Sequence, residues 1–169
     1  MKKLITNALA GMVIIATAVG CSKRQQSQIS IHLASANGNF QEVNVDIREI
    51  WIKLDKANTG WFQLKTDQRV YNVLKFQNGI DTVLATGNIP QSNIQEIRFV
   101  LGTENTVKVN GKCHPLVIPS DGTDGLRIKT SHPLKLDKEN LSIDFDAAAS
   151  ISTDGKDAYK LVPVLKLSK

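Results

Sequence analysis

Four aspartates are the residues of this sequence best suited to chemistry. Asp121 and Asp124 stand in the loop Pro119-Ser120-Asp121-Gly122-Thr123-Asp124-Gly125, while Asp144 and Asp146 alternate with Ile143 and Phe145. Residues two apart on a strand share a face, so Asp144 and Asp146 point the same way. Hard carboxylate oxygens are what calcium takes as ligands, and the four aspartates could converge on one such ion. The loop lacks the full Asp-x-Asp-x-Asp-Gly pattern, however, and solvated turn aspartates beside an outward strand face account for the same residues. Apart from that calcium no cofactor is expected.

Aromatic side chains form the second group. Trp51, Trp61, Phe62 and Tyr71 could line a platform that stacks on the apolar face of a sugar, with Trp51 and Trp61 as its ligand-binding residues. The competing use is packing. With 5% aromatic residues in the chain, Trp61 and Phe145 are expected in the core.

Catalytic patterns are missing. His32, His114 and His132 lack zinc-ligand spacing, and two of them precede proline. No serine sits in a Gly-x-Ser-x-Gly elbow, and no phosphate-binding or dinucleotide-binding glycine pattern occurs. Cys113 and His114 are neighbours whose side chains leave a strand on opposite faces, so they do not form a thiolate–imidazole pair. The expectation is a protein that is not an enzyme.

The elements carrying these residues read as strands. Ile29-Ser30-Ile31-His32-Leu33 alternates with period two. Val43, Val45 and Ile47 keep that rhythm, and Ile50, Ile52 and Leu54 resume it on the other parity, which predicts a β-bulge or a change of neighbours at Arg48-Glu49. Asn58-Thr59-Gly60 turns the chain into a strand from Trp61 to Leu64 that closes a hairpin. Tyr71 to Phe76 fits a short helix or an irregular edge, stopped by Asn78-Gly79. Strands are expected at 82–85 and 94–101, separated by a loop at 86–92, and Asn110-Gly111 is the strongest hairpin dipeptide. Leu126 to Ile128, Leu141 to Phe145 and Leu161 to Leu167 complete an all-β sandwich of about 8–10 strands.

The amino terminus reads as an address. Lys2 and Lys3 precede a mostly apolar stretch from Leu4 to Val19, and Ala18-Val19-Gly20 supplies small residues before Cys21. Residues 1–20 thus have the layout of an export signal helix, and the strongly apolar part is shorter than the roughly 20 residues a membrane span needs. Ala18-Val19-Gly20-Cys21 resembles the lipobox of bacterial lipoproteins, with Ala18 where leucine is usual, and this resemblance implies lipidation of Cys21. An ordinary secretory signal cut after Gly20 is the other reading. Residues 21–28 would be the lipidated cysteine and a tether, and residues 29–169 the domain.

Of the 169 residues, 41% are hydrophobic and 22% charged, enough for one globular domain. Removing residues 1–20 takes Lys2 and Lys3 from the net charge of +5 and leaves 19 basic against 16 acidic side chains, a net +3. That modest charge, without an aromatic-rich basic strand, argues against nucleic acid as a partner. Cys113 remains as a lone thiol, expected as a small buried hydrophobe.

Several phrases, in order, resemble one family: Val45-Asp46-Ile47-Arg48-Glu49-Ile50-Trp51-Ile52, Gly60-Trp61-Phe62-Gln63-Leu64, Tyr71-Asn72-Val73-Leu74, Ile97-Arg98-Phe99-Val100-Leu101-Gly102, Gly125-Leu126-Arg127-Ile128-Lys129 and Ile143-Asp144-Phe145-Asp146. Together with Pro119-Ser120 they look like the motifs of DUF4382 domains, found in envelope lipoproteins and secreted proteins. The resemblance implies a sandwich of immunoglobulin-like or transthyretin-like character and transfers no site. The expected protein is a lipid-anchored, non-enzymatic ligand-binding or adhesion module of the cell envelope. Its partners would be membrane lipid through acylated Cys21 and a glycan or envelope protein. The alternative is a structural accessory subunit docking by edge-strand pairing. Ser22 and the basic pair Lys23-Arg24 favour an outer-membrane anchor facing the periplasm.

Overall fold

The computed structural model describes residues 26–36, 40–55, 60–90, 92–119, 126–135, 140–153 and 158–168. Fourteen strands among them form two sheets. The first has the order β14 (Val164–Ser168), β11 (Asn140–Asp146), β1 (Gln26–Ala36), β6 (Thr82–Pro90), β4 (Lys65–Thr66). In it β1 runs parallel to β11 and antiparallel to β6. The second has the order β10 (Leu126–Lys135), β7 (Asn93–Leu101), β2 (Glu42–Leu54), β8 (Thr106–Val109), β9 (Lys112–Val117), β13 (Tyr159–Leu161), β12 (Ile151–Thr153). β3 (Trp61–Gln63) and β5 (Arg69–Asn72) also pair with β2. No helix among the described residues is long and apolar enough to cross a membrane.

Alternation sets the core between the sheets. Ile29, Ile31 and Leu33 of β1, Leu141, Ile143 and Phe145 of β11, and Ile50, Ile52, Ile97 and Phe99 of the second sheet are all buried in one cluster. Each such side chain contributes about 1.5–3 kcal/mol by leaving water. Leu64 crosses from β3 to β4 and fills the space over Gly87, where an added Cβ would lie 2.8 Å from its Cδ2.

β2 organises the second sheet. Trp51 pairs with Gln63 and Arg98, Asn44 with Asn72 and Thr106, and Ile47 with Arg69 and Leu101. β3 and β5 therefore lie end to end along one edge of β2, and β7 and β8 along the other. The register of β7 against β2 slips between Ile47 and Glu49, where the parity of the apolar residues changes, so the expected bulge is present. A polar knot closes over it. The buried Asp46 carboxylate takes Arg48 Nε at 2.7 Å and Nη2 at 2.8 Å, and accepts from the Glu104 backbone N–H at 3.2 Å. Asn105 accepts from the Asp46 N–H at 2.8 Å and donates to the Gly102 carbonyl at 2.7 Å.

Asn110 (φ 48°) and Gly111 (φ 77°) both occupy the left-handed region and turn β8 into β9, as their dipeptide predicts. Tyr71 to Phe76 divides: Tyr71 ends in β5, and Val73–Lys75 is a 3-10 turn capped by the Asn72 side chain.

Several expectations are corrected. The segment 86–90 is strand rather than loop, because Thr86 to Pro90 pairs with Ser30 to Gln26 and buries Ile89. That pairing also starts β1 at Gln26, inside the segment expected to be tether. The strand expected from Leu161 to Leu167 is two strands in different sheets, interrupted at Val162-Pro163. Such subdivisions, with the short strands β4, β5 and β12, raise the count beyond 8–10. Cys113 is exposed, not buried: it faces Lys108 on the outer side of the hairpin, while its neighbour His114 pairs with the buried Val107.

Candidate functional site

Four adjacent strands, β3-β2-β7-β10, put two rows of side chains on the face turned away from the core. Cross-strand register aligns Gln63, Trp51, Arg98 and Arg127 in one row. The next row aligns Trp61, Lys53 and Glu96. Local sequence determines which face each residue takes. Ile50, Ile52, Ile97 and Phe99 turn inward, so Trp51, Lys53 and Arg98 must turn outward. Trp61 is half-buried on this outer face, which corrects its expected place in the core, while Phe145 is buried as expected.

Both tryptophans of the chain thus lie within one cluster, and Arg98 joins them. Its guanidinium carbon is 5.3 Å from the Trp51 ring centroid and 4.8 Å from that of Trp61. Lys53 Nζ stands 5.9 Å from the Trp61 centroid. Contacts of this kind contribute about 0.5–1 kcal/mol each at exposed sites. Trp51 donates its indole N–H to Glu49 Oε2 at 2.7 Å, which fixes the ring on the sheet. A guanidinium held over aromatic rings still carries N–H groups that can serve other partners. Arg98 Nε is buried and meets no acceptor among the described residues. Glu96, also buried, has Oε1 3.8 Å from Arg127 Nε, an ion pair too long to be a hydrogen bond.

The cluster can stack and carry positive charge, and it contains no nucleophile–base pair. Sequence reasoning found Trp51 and Trp61 but missed Arg98, Lys53, Glu96 and Arg127. Their outward orientation was readable from strand alternation; their adjacency was not, since it depends on which strands pair.

The aspartates are divided. Asp144 and Asp146 share a face of β11 as predicted, but Asp146 Oδ1 accepts from the Ala149 N–H at 3.0 Å and caps the short helix Ala147–Ser150. Asp121 and Asp124 lie outside the described residues, as does Cys21. Among the described residues no group of three or more His, Cys, Asp or Glu could hold a metal ion. His32 Nδ1 is 2.8 Å from Asp81 Oδ2, and His114 packs on Tyr159 with ring centroids 5.0 Å apart.

A second surface feature lies at the edge of the first sheet. β4 covers only Thr86 and Ala85 of β6, leaving a groove of about 510 Å³ lined by Lys65 to Gln68 and Val83 to Thr86.

No curated protein and no solved structure matches the chain. A family model does: the one described as "Domain of unknown function (DUF4382)" matches residues 26–163, from the first described strand to the proline before β14. With nearly the whole of both sheets inside that match, the chain belongs to the DUF4382 family.

Proposed function

We propose that this protein is a lipid-anchored, non-enzymatic binding module of the cell envelope that takes a glycan on the outer face of β3-β2-β7-β10. The observation that carries this reading is the convergence of Trp51 and Trp61 on one exposed sheet face. Rigid aromatic surface fixed on strands suits the apolar face of a sugar ring. The anchoring part rests on Ala18-Val19-Gly20-Cys21, with an outer-membrane, periplasm-facing position following from Ser22 and Lys23-Arg24. Three acyl chains, at about 0.8 kcal/mol per buried methylene, would hold the module on the bilayer durably.

A glycan array probed with the full chain tests the binding. Specific signals that fall in Trp51→Ala support it, and a weak background unchanged by that substitution removes it. Intact mass tests the anchor: a chain beginning at Cys21 and carrying acyl groups supports it, and an unmodified cysteine refutes it.

A second reading, an accessory subunit docking through a sheet edge, is favoured by the open groove beside β6, where Val83 is 42% exposed. A stoichiometric protein partner recovered from solubilised envelope, lost when Val83 is replaced by lysine, would support it over the glycan reading.

A further inference from the structure

Resting on the reading of this face as a glycan site, we propose that its ligand is an anionic saccharide, with Arg98 and Arg127 contacting its carboxylate, sulfate or phosphate oxygens.

Three observations on the face point to negative charge in the ligand. The first is the state of Arg98. Its guanidinium lies against both indole rings, its Nε is buried, and no carboxylate of the described residues pairs with it. A guanidinium lying against aromatic rings still has N–H donors, a fork that matches two oxygens of a carboxylate, sulfate or phosphate. The second is its neighbour. Arg127 stands directly opposite Arg98 on β10. Directly opposed residues have Cβ atoms about 4.5–5.5 Å apart, and like charges there are unfavourable. A shared oxyanion would convert that repulsion into attraction on both sides.

The third observation is the balance around the pair. Lys53 adds a cation in the next row. Among the described residues, the carboxylates beside the pair on this face are Glu49, engaged by the Trp51 indole, and Glu96, paired with Arg127 at 3.8 Å. Neither forms an ion pair with Arg98, whose Nε has no acceptor among the described residues. The tryptophans supply the saccharide part of the argument, since an inorganic anion alone would make no use of Trp51 and Trp61.

Because both tryptophans of the chain belong to the cluster, intrinsic emission reports this face alone. The full chain in neutral detergent micelles is titrated with polygalacturonate, dextran sulfate, phosphomannan and neutral dextran while tryptophan emission is followed. The expected result is that at least one charged polymer binds about tenfold or more tightly than dextran, the size of effect expected for charge-assisted hydrogen bonds. Comparison of the three identifies the oxyanion. Arg98→Gln should lose about tenfold in affinity for that polymer, and Arg98→Lys should recover only part, because an ammonium lacks the planar fork. Lys112→Gln removes the same charge from the β8–β9 hairpin and should change binding less than twofold.

Equal affinity for neutral dextran overturns the anion assignment and leaves the glycan reading standing. Equal losses in Arg98→Gln and Lys112→Gln overturn it too, by showing attraction to net charge alone. Binding to none of the four polymers overturns both readings. Thermal melts of each variant establish that the sheet is intact, and Arg127→Gln, at an exposed position, provides a second test should Arg98→Gln not fold.

Discussion

Asp46 holds Arg48, its second neighbour in the same strand, through two contacts of 2.7 and 2.8 Å made directly across the bulge of β2. The carboxylate is fully buried while the guanidinium is about half exposed, so the pair joins the interior of the sheet to its surface. Asp46→Ala is expected to cost roughly 2–4 kcal/mol, because Arg48 and the Glu104 N–H lose their acceptor together. Urea denaturation measures this. A loss under 0.5 kcal/mol would mean that the bulge holds itself.

Gly102 is constrained by the same carboxylate. A Cβ there would overlap Asp46 Oδ2 and sit 2.6 Å from Arg48 Nε, whereas one on Gly60 would meet nothing within 4 Å. Gly102→Ala should therefore destabilise by about 2 kcal/mol or more and Gly60→Ala by less than about 0.5 kcal/mol. In an Asp46→Ala background the Gly102→Ala penalty should shrink, since the atom it strikes has gone. Additive losses in that double-mutant cycle would refute the steric link.

Arg98 shields both indoles. Arg98→Ala should raise acrylamide quenching of tryptophan emission and shift the emission maximum to longer wavelength, with the melting temperature changed by only a few degrees, since each cation–π contact is worth about 0.5–1 kcal/mol. Quenching identical to that of the parent chain would show that the guanidinium does not cover the rings in solution.

Glu42 and Lys108 give the fold a defined pH window. The hydrogen bond from Lys108, at 2.9 Å, holds the Glu42 carboxyl below its ordinary range, and Glu42 in turn raises the lysine. A lowered carboxyl pKa stabilises the folded state above the unfolded carboxyl value, and the gain is lost as pH falls through the lower folded value. A raised lysine pKa stabilises it below the unfolded lysine value, and this gain is lost as pH rises through the higher folded one. The difference in melting temperature between the parent and Glu42→Gln should be flat near neutrality, shrink toward both extremes and diminish in 1 M salt. A difference that stays constant from pH 2 to pH 8 would contradict it.

The features legible in the sequence were those carried by neighbours along the chain. The shift of parity between Ile47 and Ile50 located the bulge, and Asn110-Gly111 located a hairpin, because side-chain alternation and left-handed backbone are local matters. Thr86 to Pro90 lacked a local strand signal: Gly87 and Pro90 argue against one, and only pairing with β1 recruits them. Asp46 is a similar case. Alternation puts it on the outer side of β2, where a carboxylate is ordinary, and it becomes buried because residues 102–105 close over it. The Trp51–Arg98–Trp61 contact is part local and part not: Trp51 and Trp61 belong to one hairpin, β2 and β3, whereas Arg98 reaches them from β7 through a pairing that nothing local announces.

β1 occupies the middle of its sheet, bonded to β11 on one side and β6 on the other, and Cys21 stands five positions ahead of its first residue. Tension arriving from the amino terminus is therefore delivered to the centre of the fold. An edge strand can be unzipped one bond at a time; β1 must slide free of two ladders together while withdrawing Ile29, Ile31 and Leu33 from the core. For a domain tethered at that end, the topology makes the point of attachment the mechanically resistant part of the molecule, so that a tug on whatever it grips would strain the far sheet before the tether strand.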